Sequence, residues 1–147
     1  MRVSLRPSLP TDYDYCARLY FEEMERTIRD LNLDMATHAE RIRQLWTATE
    51  VRIITLDGAD VGWLQTRPEA DALFIAQLFV ERSFQGRGIG TDVVRHLIRE
   101  AADAGLSVTL GVVKSNPAQR LYKRLGFHVT HEDERKFYMR RELDLKD

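Results

Sequence analysis

Three glycines stand close together in the segment Gln85-Gly86-Arg87-Gly88-Ile89-Gly90. The segment follows a nearly unbroken apolar run, Ala72–Glu81, and precedes an amphipathic helical pattern. Glycine lets a backbone approach a ligand without a Cβ clash, and the first amides of a helix are free donors in a positive field. The pattern therefore favours a phosphate site, although a strand-to-helix turn that binds nothing could look similar.

The two common phosphate loops do not fit these residues. The nucleoside-triphosphate loop needs a lysine directly after its last glycine, whereas Gly90 is followed by Thr91 and Asp92. The dinucleotide fingerprint G-x-G-x-x-G lacks its third glycine whether it is started from Gly86 or from Gly88. The phosphate ligand must therefore belong to another class.

Alternating strand and helix patterns surround the loop and predict one α/β unit in the order β α α β β β α β α β β. The glycine loop falls between the fourth strand and the third helix of this order. The predicted strands are Val3–Arg6, Val51–Leu56, Val61–Thr66 (ended by Pro68), Ala72–Glu81, Leu106–Val113, Phe127–Thr130 and Lys136–Arg141. The predicted helices are Thr11–Leu31, one that opens with a capping box at Thr37–Glu40, one that runs from the glycine loop to Gly105, and one that starts at Asn116-Pro117.

Composition limits the remaining possibilities. With 147 residues, the chain fits a single domain over 1–147. A net charge of −1 argues against a nucleic-acid partner, and no apolar stretch is long enough to span a membrane. One cysteine, Cys16, and histidines without metal-ligand spacing indicate that there is no metal site. We expect a cytoplasmic protein.

The glycine segment resembles the acyl-CoA loop Q/R-x-x-G-x-G/A of the GNAT-type N-acetyltransferases, and it matches that loop completely. The preceding Leu78-Phe79-Val80 and the downstream segment from Asn116-Pro117 through Leu121-Tyr122 to Gly126-Phe127 also look like that family. The resemblance covers roughly residues 60–141. It implies an α/β (α+β) fold with a mixed, mostly antiparallel sheet of six to seven strands, about four helices and a splayed central pair of parallel strands.

The resemblance also implies the co-substrate, acetyl-CoA, and the residues that bind it. The backbone of Leu78, Phe79 and Val80 would pair with the pantetheine arm like an added strand. The pyrophosphate would lie against the amides of the loop, with Arg87 and Asn116 as further contacts. The loop residues are Gln85, Gly86, Arg87, Gly88, Ile89, Gly90 and Thr91.

For the chemistry, the resemblance places Tyr122 near the thioester sulfur, where its hydroxyl could protonate the departing thiolate. A core aromatic is the alternative for this position, because Tyr122 shares a helix face with Ala118 and Leu125. The acceptor amine must lose a proton, and Glu81, Glu22 and Glu23 are the candidate bases. A backbone N–H at Leu78 is the candidate oxyanion donor.

The predicted activity is therefore acetyl transfer to a primary amine by direct attack in a ternary complex. The acceptor would be a small-molecule amine or a peptide N-terminus, so a protein N-terminal acetyltransferase is one alternative. A weakly catalytic, regulatory acyl-CoA-binding module is another. A homodimer is compatible with such a fold, although no sequence feature decides it.

Overall fold

Seven β-strands and four α-helices make up the described part of the chain, residues 2–30, 32 and 34–143 of a computed structural model, with backbone only at residues 26 and 27. Their order is the order predicted from the sequence. The elements are β1 (Val3–Pro7), α1 (Tyr13–Asp30), α2 (Met35–Leu45), β2 (Val51–Leu56), β3 (Ala59–Glu69), β4 (Ala72–Val80), α3 (Ile89–Asp103), β5 (Ser107–Val113), α4 (Gln119–Arg124), β6 (His128–Glu132) and β7 (Lys136–Arg141).

The strands form one mixed sheet in the order β1-β2-β3-β4-β5-β7-β6. The pairs β1–β2, β2–β3, β5–β7 and β6–β7 are antiparallel, whereas β4 and β5 are parallel. The parallel ladder runs only from Ala72↔Ser107 to Ile75↔Leu110, although β4 itself extends to Val80. This architecture confirms the predicted fold class.

The chain divides into two compact units, and the first comprises Met1–Gln65 and Gln77–Ile89. Its core forms where α1 presents side chains at helical spacing to α2 and the strands β2 and β3. The most buried members are Cys16, Leu19, Tyr20, Ile42, Val51, Ile53 and Trp63. This packing fixes α1, which carries several of the candidate site residues.

The second unit comprises Thr66–Ala76 and Gly90–Asp147. Helix α3 buries Val93, Val94, Leu97 and Ala101, a spacing that places them on one face. Strand β5 buries alternate residues, as a strand with one face in the core does. The prediction of a single domain over the whole chain stays a prediction.

Sequence-based boundaries were wrong at α2, β3 and α4, and α4 begins at Gln119 and not at Asn116-Pro117. The capping box predicted at Thr37–Glu40 does not open the helix, because α2 begins at Met35. Asp34 is the N-cap, and its Oδ1 accepts a hydrogen bond of 3.1 Å from the Ala36 amide. An aspartate at the N-cap accepts hydrogen bonds from the first free amides of a helix, so α2 starts earlier in the chain than predicted.

The second wrong boundary is at Pro68, which does not end β3. The strand continues to Glu69, and its pairing with β2 already stops at Val51↔Gln65. Proline is tolerated here because β2 supplies no ladder partner that would need its missing amide. The predicted end of the first helix, Leu31, lies outside the described residues. None of the described helices combines the length and apolar composition needed to cross a bilayer.

Candidate active site

The glycine loop connects β4 to α3 through a short 3-10 turn at Arg82–Phe84. Gly86 and Gly88 have φ angles of +79° and +83°, which side-chain-bearing residues rarely adopt. A Cβ built on either residue would meet no atom within 4 Å. The glycines are therefore required by the backbone conformation, and the space beside them is open. Because α3 begins at Ile89, its free N-terminal amides follow directly, as a pyrophosphate group would require.

The side chain of Gln85 forms hydrogen bonds that fix the start of this loop. Its amide nitrogen Nε2 donates to the Val80 carbonyl at 2.9 Å and to Glu23 Oε2 at 3.0 Å. Its backbone N–H donates to the Arg82 carbonyl at 3.2 Å, so this amide is already used within the turn. The amides available for an anion therefore begin at Gly86. The guanidinium of Arg87 lies over the Phe84 ring at 5.2 Å.

Residues Leu78, Phe79 and Val80 form the end of β4 and are all half-buried. The Phe79 ring packs 5.4 Å from Trp63 and 5.7 Å from Tyr20, so its side chain belongs to the core. The carbonyl of Val80 is engaged by Gln85. The roles predicted for the backbone of Leu78, Phe79 and Val80 stay predictions.

The three candidate bases have different surroundings. Glu81 follows β4 directly and is half-buried, and its Oε2 accepts a 3.0 Å hydrogen bond from the Tyr15 hydroxyl. Glu23 is held by Gln85. Glu22 lies on the exposed side of α1 in a 3.4 Å ion pair with Arg18. Gln85 thus holds the carboxylate of Glu23 at the end of β4, whereas Glu22 is directed to the helix surface.

Tyr15 is a site residue that the sequence analysis missed. It is off the apolar series that predicted the first helix, so the periodicity gave it no role. No local signal identifies it, because its partner Glu81 lies 66 residues further along the chain. Burial, followed by the hydrogen bond to Glu81, raises the pKa of Tyr15, so its hydroxyl remains a donor at neutral pH.

In the second unit, the Tyr122 side chain is half-buried and its ring meets the Phe127 ring edge-on at 5.7 Å. Burial raises the pKa of Tyr122 to about 12, so the hydroxyl is protonated at neutral pH and can act as a proton donor. Asn116 caps the turn before α4, because its Oδ1 accepts from the Ala118 amide at 2.9 Å. A polar cavity of about 450 Å³ opens beside it, lined by Ser115, Asn116, Pro117, Gln119, Arg120 and Lys123.

Gly90 and Thr91 belong to the first turn of α3, and both are half-buried. Within the described residues, no group of three or more His, Cys, Asp and Glu side chains could hold a metal ion. Cys16 is fully buried, and burial raises the pKa of its thiol to about 11, so it is a poor nucleophile.

Solved structures share this fold over nearly the whole chain. The PaiA N-acetyltransferase of Thermoplasma acidophilum, crystallised with coenzyme A, is 15% identical with a TM-score of 0.68, and the match covers 97% of this chain and 99% of that one. An acetyltransferase of Thermus thermophilus is 20% identical with a TM-score of 0.73, covering 96% and 97%. The N-acetylglutamate synthase of Neisseria gonorrhoeae, complexed with coenzyme A and N-acetylglutamate, is 21% identical with a TM-score of 0.71, covering 98% and 36%.

Sequence comparison identifies the family of the chain, which similarity of fold does not. An uncharacterised N-acetyltransferase of Methanocaldococcus jannaschii is 36% identical over 70 residues. That match covers 46% of this chain but only 31% of the relative, so the aligned segment spans about a third of the relative's length. The profile of the acetyltransferase (GNAT) family matches residues 14–127, which is most of the chain and includes β4, the glycine loop and Tyr122. The chain therefore belongs to the acetyltransferase (GNAT) family, whose co-substrate is acetyl-CoA.

Proposed function

We propose that this protein transfers the acetyl group of acetyl-CoA to a primary amine by direct attack in a ternary complex, with Tyr122 as the general acid. The observation that carries the proposal is the glycine loop. Gly86 and Gly88 have positive φ angles and open space at their Cβ positions, and the free amides of α3 follow directly. Family membership supplies the ligand that such a loop would take.

The residues of the loop and of β4 would bind and orient the co-substrate. Backbone amides from Gly86 to Thr91 would hold the pyrophosphate, where the dipole of α3 also favours an anion. Backbone groups of Leu78 and Phe79 would pair with the pantetheine arm. The Leu78 amide is the proposed donor to the oxyanion, and loss of one such donor typically lowers the rate by ~10²–10³.

When bound, acetyl-CoA supplies the thioester: the amine nitrogen bonds to its carbonyl carbon, the carbon–sulfur bond breaks, and the electron pair leaves on sulfur. Tyr122 would donate its hydroxyl proton to that sulfur. Its raised pKa means that the hydroxyl is protonated at neutral pH, as a proton donor must be before the transfer. A carboxylate must first take a proton from the amine, which carries one at neutral pH.

The acceptor is proposed at the level of a primary amine, either a small molecule or a peptide N-terminus. Localisation in the cytoplasm and assembly with a second copy of the chain are also part of this proposal. The alternative of a regulatory acyl-CoA-binding module predicts the same ligand but negligible turnover. Turnover with an amine therefore separates the two.

The first experiment is thermal unfolding of the purified protein with acetyl-CoA, and with ATP and NAD as controls. At about 100 times Kd, one-site binding adds ~2.7 kcal/mol to the free energy of unfolding, which for this size raises Tm by roughly 5–10 °C. A shift with acetyl-CoA alone supports the proposal, and small amines and N-terminal peptides are then screened for coenzyme A formation. No shift at millimolar acetyl-CoA would overturn it.

A further inference from the structure

Glu81 is held at the end of β4 by contacts on its backbone and on its side chain. Its N–H donates to the Val61 carbonyl at 2.8 Å, and its carbonyl accepts from the Phe84 amide at 2.8 Å. Its carboxylate oxygen Oε2 accepts from the Tyr15 hydroxyl at 3.0 Å. One oxygen of the carboxylate is therefore held by Tyr15, and the Glu81 backbone is held by β3 and by the 3-10 turn.

The side chain of Tyr15, which donates this hydrogen bond, is held in place by packing. It is half-buried and packs against the core cluster formed by α1, α2 and the strands β2 and β3. The guanidinium of Arg18 lies 5.4 Å from the centre of its ring. Burial, the Glu81 carboxylate and the charge of Asp60 all raise the pKa of Tyr15, whereas Arg18 lowers it, and the net direction is upward. The hydroxyl thus stays a neutral donor throughout the range in which an enzyme works.

The charged side chains around Tyr15 and Glu81 pair with other groups. Among the side chains that the structure describes, which leave out those of residues 26 and 27, no cation forms an ion pair with Glu81. Arg18 is paired with Glu22, and Asp60 on β3 is paired with Arg6. Glu23 is held at the neighbouring Val80 carbonyl by Gln85. The ammonium group of an acceptor would therefore meet no competing cation at this carboxylate.

We propose that Glu81 is the base of the reaction and that Tyr15 is its positioning residue. This inference rests on the proposed function. Glu81 removes one proton from the ammonium group of the acceptor and becomes a neutral carboxylic acid, while the nitrogen regains its lone pair. Tyr15 holds Oε2, so that Oε1 keeps its lone pairs for the acceptor proton.

The test compares Tyr15→Phe, Glu81→Gln and Tyr13→Phe. Tyr13 is the matched control, because it is also a half-buried tyrosine of α1, but its ring packs on Trp46 at 5.4 Å. We expect Glu81→Gln to lower kcat by ~10²–10⁴, the usual contribution of a general base. In Tyr15→Phe, kcat should fall about tenfold while KM for the acceptor changes less, because the change affects the placing of the base and not the binding of the amine. Tyr13→Phe should leave both kcat and KM unchanged.

A second readout needs no acceptor. The ¹³C resonances of the glutamate carboxyl carbons are recorded at neutral pH, and the Glu81 signal is identified as the one missing in Glu81→Gln. It should shift in Tyr15→Phe and stay in place in Tyr13→Phe. An unmoved signal or an unchanged kcat in Tyr15→Phe overturns the role of Tyr15, and full activity of Glu81→Gln overturns the role of Glu81 as the base. If the wild type acetylates no amine, the proposed function fails instead, whatever the carbon signals show.

Discussion

The carbonyl oxygen of Phe79 lies against the α-carbon of Gly62, in the place that a side chain at Gly62 would occupy. A Cβ there would also come within 3.1 Å of the Val80 α-carbon. At Gly62, β3 thus lies so close to the end of β4 that only glycine fits at this position. Since the φ angle of Gly62 is not positive, the requirement comes from packing and not from backbone conformation. The close approach is at the stretch of β4 proposed to pair with the pantetheine arm.

We therefore predict that Gly62→Ala destabilises the protein. The new methyl group would have to displace backbone atoms, which typically costs about 1–3 kcal/mol. For this size the loss should lower Tm by roughly 3–10 °C in thermal unfolding. The control is Gly111→Ala in β5, where the added Cβ meets only side-chain atoms, the closest being those of Tyr138 at 3.2 and 3.3 Å. Equal losses in both variants would contradict the assignment of the strain to the Phe79 carbonyl.

Gly88→Val should abolish acetyl-CoA binding. The substitution puts a β-branched side chain at a φ of +83° and fills the open space proposed for the pyrophosphate. The measurement is the rise in Tm with acetyl-CoA, which should disappear. Gly105→Val is the matched control, because Gly105 has a φ of +74° at the other end of α3 and also has nothing within 4 Å of its Cβ position. The Gly105→Val variant should lose similar stability but keep the rise in Tm with acetyl-CoA. If a folded Gly88→Val protein kept that rise too, the glycine loop could not be the pyrophosphate site.

Tyr122→Phe should lower kcat by ~10²–10⁴ and leave the affinity for acetyl-CoA within a few-fold. The reason is that the change removes only the hydroxyl group, while the ring keeps its contact with Phe127. Turnover and acetyl-CoA binding are measured on the same preparation. Tyr138→Phe is the control, since that hydroxyl donates to Asp133 on the surface at 2.9 Å. Unchanged turnover in Tyr122→Phe would remove it as the general acid.

Asp12 should make the stability of the protein depend on acidic pH. Its carboxylate is bound by the Arg6 guanidinium at 3.0 and 3.1 Å and also accepts from the Leu9 amide, and these contacts lower its pKa. Because the folded pKa is below the ordinary value of ~3.9, the contribution is complete above about pH 5 and is lost as the pH falls through the folded pKa.

The variant for this test is Asp12→Asn, compared with the wild type by urea unfolding at pH 6 and at pH 2.5. At pH 6 the wild type should be more stable by on the order of 1 kcal/mol, a modest value because the Arg6 side chain is 36% exposed. At pH 2.5 the difference should narrow, since the wild type then loses its carboxylate charge as well. A difference that is the same at both pH values would contradict the ionic role of Asp12.

The order of the elements and the glycine loop could be predicted because their signals are local. Apolar periodicity, three glycines and helix-end residues all act within a few positions of one another. The contact between Tyr15 and Glu81 joins residues 66 positions apart, and no local pattern encodes such a pair. The closeness of Gly62 to Phe79 likewise depends on how two strands approach each other. Side-chain roles at the site therefore needed coordinates, whereas the fold did not.

The burial of Cys16 has a practical consequence for measuring this activity. It is the only cysteine in the sequence, and its side chain is inaccessible to solvent. A thiol-reactive chromophore added to a reaction would therefore report the sulfhydryl of released coenzyme A with little background from the folded enzyme. Unfolding would expose Cys16, so the same reagent without substrate would give a direct count of denatured molecules in each variant preparation.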